Sequence, residues 1–72
     1  MLTKDEKLQI INSHRKNLSY SKYNLDIDFI QENSKSTPDP VVLATIEQEL
    51  EELDNQLTAL NTEATAVANL VE

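Results

Sequence analysis

From Leu43 to Val71 the chain places an apolar residue at alternating steps of three and four: Leu43, Ile46, Leu50, Leu53, Leu57, Leu60, Ala64, Val67 and Val71. That is a heptad seam without a miss, the pattern of an α-helix that lays one narrow face along a neighbour. A strand would need alternation by two, and no such run of useful length occurs. Glycine is absent altogether, which removes the usual residue of tight hairpin turns and reinforces an all-α reading.

A helix with one apolar stripe needs a partner, and the rest of the chain offers one. Ser34-Lys35-Ser36-Thr37-Pro38-Asp39-Pro40 is the only punctuation. Each proline forbids a continuous helix and pushes the residue before it towards extended backbone. Thr37 or Asp39 is then the N-cap of a second helix, with proline tolerated in its first turn. Near the N-terminus, Thr3 and Glu6 stand three apart ahead of Leu8, as in a capping box. The expected layout is helix one over about 3–33, a loop over about 34–39 and helix two over about 40–70. Each helix would be roughly 45 Å long at 1.5 Å per residue, and a short link between equal helices folds them antiparallel. The fold expected is an antiparallel two-helix coiled-coil hairpin in one domain.

Helix one has a less regular seam, Leu8, Ile11, Arg15, Leu18, Lys22, Leu25 and Phe29. Its two basic members can lay their stems along the groove and send their charges to acids such as Glu49, Glu52 or Asp54. All six basic residues fall in residues 1–35 with five acids, whereas residues 36–72 hold eight acids and no base, giving −7 for the chain. Basic residues of helix one flanking acidic residues of helix two would give antiparallel pairing its direction.

Seventy-two residues without cysteine make a small core with no disulfide to brace it, so a partner chain is the remaining source of stability. A second stripe on helix one, Tyr20, Tyr23, Ile27 and Ile30, lies roughly 140–220° round from Leu25 at 100° per residue. One neighbouring helix cannot cover both stripes. These residues form either the rim of a wide core or a contact surface for another protein, and the shortage of internal core favours the second. Towards the C-terminus Ala59, Ala66 and Ala68 stand beside the seam, where small side chains let another helix approach.

The chemistry of catalysis is not written in this chain. Without glycine there is no dinucleotide fingerprint, P-loop or nucleophile elbow. One histidine, His14, and no cysteine support neither a zinc site nor a nucleophile–base pair. A phosphotransfer helix also presents an exposed histidine, but it belongs to a longer bundle and carries a glycine that is missing after Ser13-His14-Arg15-Lys16. The carboxylates Glu47, Glu49, Glu51, Glu52 and Asp54 read as a solvated helix face rather than a metal site, although Glu47, Glu51 and Asp54 form an acidic face that a partner could read. No cofactor and no enzymatic activity are expected. The bases of helix one are diluted by Asp5, Glu6, Asp26, Asp28 and Glu32, which argues against nucleic-acid binding. The amphipathic faces are acidic rather than basic, no run approaches a membrane span, and Met1–Glu6 holds no signal-peptide core, so a soluble protein away from membranes is expected.

The segments Leu2-Thr3-Lys4-Asp5-Glu6-Lys7, Ile10-Ile11-Asn12-Ser13-His14, Tyr23-Asn24-Leu25 and Gln31-Glu32-Asn33 resemble small helical proteins of tailed bacteriophages, especially those of marine cyanobacteria. The resemblance covers the first half of the chain and carries over no functional residues. It implies a phage-encoded product, made in the host cytoplasm and either built into the virion or directed at the host. Two expectations follow. The first is a non-enzymatic structural or assembly protein, a minor component of capsid, neck or tail. It would associate through Tyr20, Tyr23, Ile27 and Ile30 with itself or with a larger particle. The second is a small acidic regulator that binds and inhibits a host protein.

Overall fold

Thr3 begins the first helix by a reciprocal bond. Its hydroxyl accepts from the Glu6 backbone N–H at 3.1 Å, and the Glu6 carboxylate accepts from the Thr3 N–H at the same distance. This is the capping box read from the sequence, and it satisfies two donors that a helix start leaves open. In the computed structural model, which describes residues 1–71, the helix that follows, α1, runs from Lys4 to Asn33. It ends at Ser34, whose N–H and hydroxyl both return to the Ile30 carbonyl, at 3.0 and 2.6 Å. With no glycine to take a left-handed cap, Ser34 stays right-handed and the chain leaves through residues 35–39.

Asp39 stands before Pro40 and is extended, as the proline ring requires. Its carboxylate accepts from the Val41 N–H at 2.9 Å and caps the second helix, α2, which runs from Pro40 to Ala68 with proline at its first turn. The two helices fold back on one another as a rod of 57 × 15 × 15 Å. The protein is an all-α antiparallel hairpin.

The seam is where burial is found. Every α2 seam residue from Leu43 to Val67 is buried or half-buried, as are all seven of α1 from Leu8 to Phe29. Val67, at 3% exposure, is the most enclosed of the described residues, and among them no side chain is sealed off completely. A two-helix layer has no third side, so water reaches each rung of the ladder.

The C-terminal end departs from the sequence reading. α2 ends at Ala68, two residues before the expected Leu70, with Asn69 as its C-cap, and Val71 is 98% exposed instead of completing the seam. The seam position of α1 before Leu8 is Lys4, a charged residue at the rung next to Val71.

Candidate functional site

Tyr20, Tyr23, Ile27 and Ile30 stand on the side of α1 turned away from α2. Tyr20 and Ile30 are 63% and 59% exposed, and Tyr23 and Ile27 are exposed with them. Ile27, at 37% exposure, is the least open of the four. A shallow hollow between Lys16, Ser19, Tyr20 and Tyr23 roughens this face. The Lys16 ammonium sits 6.0 Å from the centre of the Tyr20 ring, the outer reach of a cation–π contact. The face therefore offers two aromatic rings, two branched aliphatics and an adjacent cation.

The two flanks of the hairpin differ. On one, polar bridges join the helices. Lys22 Nζ lies 2.8 Å from the Asp54 carboxylate, and this hydrogen-bonded ion pair, with Asp26 adding to it, holds the Lys22 amine above its ordinary pKa. Arg15 donates to the Asn61 side-chain oxygen at 3.0 Å and also to Asn12. The expectation that both basic seam residues would reach acids is thus corrected for Arg15. In the register set by the Lys22–Asp54 pair, the residue opposite its guanidinium is an amide. Of the acidic residues Glu47, Glu51 and Asp54, all three are exposed, and Asp54 is also paired with Lys22.

The other flank is an open groove. Four depressions follow one another along it, from Leu25, Val42 and Ile46 at the loop end, through Ser21, Leu53 and Gln56, then Leu18, Ala59 and Leu60, to Leu2, Ile10 and Ile11 at the open end. The floor consists of seam residues, the fourth positions of the heptads in both helices. The exposed apolar residues Leu2, Ile10, Val41 and Val42 stand at its two ends. His14 lines the third depression and remains exposed. Sequence reasoning noted Ala59 beside the seam but missed the groove, because a groove depends on which flank the charged seam residues lean towards.

Glu32 was also missed. It continues the α1 seam beyond Phe29, and it is buried. One oxygen accepts from Lys35 Nζ at 2.9 Å and the other from the Asp39 N–H at 3.1 Å. The lysine, then the backbone donor, hold its carboxyl below the usual glutamate range against the opposing effect of desolvation. The signal was present: adding three to Phe29 lands on Glu32, the first acid in an otherwise apolar or basic series.

Among the described residues no group of three His, Cys, Asp or Glu is placed to hold a metal ion. No described helix is long and apolar enough to cross a membrane. The fold and its surfaces define a class, the helical hairpin with an exposed tyrosine–isoleucine face and one open flank. No protein-family model, curated protein or solved structure matches the chain.

Proposed function

We propose that this chain is a non-enzymatic assembly protein that docks on a larger protein particle through Tyr20, Tyr23, Ile27 and Ile30. The observation that carries the reading is the exposure of these four residues together on the outer face of α1. An isolated exposed leucine is ordinary, but two tyrosines and two isoleucines on one rigid helix face have the composition of an interface centre. The resemblance of the first half to small tailed-phage proteins makes a phage particle the assembly of choice, with the chain as a minor component of capsid, neck or tail. Purified particles provide the test. The chain should be recovered with them at fixed stoichiometry, and Tyr23→Asp or Ile27→Asp should abolish incorporation while the free protein keeps its helicity by circular dichroism. Absence of the wild-type chain from the particles would sink the reading.

A second reading rests on a different observation, that residues 36–72 hold eight acids and no base, with Glu47 and Glu51 exposed on α2. This surface suits a small regulator that inhibits a basic host protein. Its mark would be a host enzyme inhibited by the purified chain and released from inhibition when Glu47 and Glu51 are reversed to lysine.

A further inference from the structure

We infer that the open groove is the seat of a second copy of this chain, and that two hairpins close into a four-helix bundle with both loops at the same end. Three observations lead there. The first is area. A compact monomer of this mass exposes about 4,500 Å², whereas this chain exposes 5451 Å². The excess, roughly 900 Å², is close to the ~800 Å² that one partner loses in a standard interface.

The second is the groove itself. It runs from the loop end, lined by Val42, to the open end, lined by Leu2 and Ile10. Its middle is lined by uncharged Ser21, Asn24 and Gln56 over Leu25 and Leu53, with Glu49 and Glu52 on the α2 wall. Ala59 lowers the α2 wall farther along. A stacked hairpin would therefore meet an apolar floor between charged rims, with Asp28, Lys35 and Glu49 at the loop end and Lys7 and Glu63 at the open end, and a low wall at Ala59, while the polar bridges of the opposite flank stay in water.

The third is charge, which chooses between the two ways a twofold axis can stack hairpins. An axis across the rod places α1 on α1 and α2 on α2, so that two helices bearing only acids would lie side by side. An axis along the rod places α1 of each copy on α2 of the other. Every neighbouring pair then joins α1, which carries five bases and five acids, to α2, whose only charges are acids, as it does within each hairpin. The second arrangement keeps all neighbours antiparallel and brings the loops together.

The absence of cysteine makes the test direct. Ser36→Cys in the exposed loop, spin-labelled, should give an interchain distance on the order of 20 Å, a bundle width of two helix spacings. Sedimentation should show a dimer. Ala59→Arg, at an exposed groove-wall position, should weaken that dimer about tenfold or more with helicity unchanged. Tyr23→Asp, on the other face, should leave it intact. A label distance near the 57 Å length of the rod would overturn the arrangement. A wild-type chain that stays monomeric, or a dimer broken by Tyr23→Asp but not by Ala59→Arg, would overturn the groove as its seat. If Ala59→Arg fails to fold, the label distance alone decides. Loss of the groove dimer leaves docking through the Tyr20–Ile30 face untouched, so the two proposals fail separately.

Discussion

Glu32 shows how one side chain can close a hairpin that has no glycine. Its carboxylate gathers the Lys35 ammonium and the Asp39 backbone N–H, tying the end of α1 to the residue that caps α2. Because these donors stabilise the charged form, the folded-state pKa lies below the ordinary one. The stability it contributes is therefore fully present above the unfolded glutamate value and is lost as pH falls through the folded value. Glu32→Gln should melt at a lower temperature than the wild type at pH 7, and the gap should narrow as the pH is taken below the ordinary glutamate range. A gap that persists in acid would mean that Glu32 acts by packing alone. Thr3 acts at the other end of α1, and Thr3→Ala should cost about 1 kcal/mol of helix stability in a denaturant titration. Asp39 is the matching cap on α2, while the hydroxyls of Thr45, Thr62 and Thr65 bond back to carbonyls four residues earlier.

At the scale of the helices, the heptad seam decides the fold. Leu53 lies in the middle of α2, half-buried between the groove and the polar flank. Leu53→Asp removes its burial and sets a charge in the seam, at a cost of about 3 kcal/mol or more. That is a large part of a stability that for this chain length is on the order of 5 kcal/mol. The variant should lose its helical signal at 222 nm, in contrast to Tyr23→Asp on the outer face. The elements were legible in the sequence because the determinants are local or periodic: Thr3 with Glu6, Pro38 and Pro40, and the steps of three and four. What escaped depends on the partner helix. Val71 fits the period yet stands 98% exposed, and only the register decides that Lys22 meets Asp54 while Arg15 meets the Asn61 amide. The groove belongs to the same group. It appears only when Arg15 and Lys22 both lean to one flank, and the heptad alone does not say which.

At the scale of the molecule, the bundle turns a weak surface into a bivalent one. Two hairpins joined through their grooves leave both Tyr20–Ile30 faces outside, so a dimer can engage two equivalent sites on a symmetric particle, and the second contact forms at the effective concentration set by the first. Net charge works against that assembly, since each chain carries −7 and two of them must come together. The pairing of α1 with the partner's α2 offsets this locally, but exposed ion pairs contribute little. The repulsion between whole chains acts over the full Debye length, which shrinks from about 30 Å at 0.01 M salt to about 10 Å at 0.1 M. The long-range term should win at low salt, while the apolar floor of Leu18, Leu25, Leu53 and Leu60 is indifferent to it. Dimerisation followed by sedimentation should therefore tighten several-fold over that range and then level off. Weakening over the same range would mean that opposite charges, rather than the apolar floor, hold the two hairpins together.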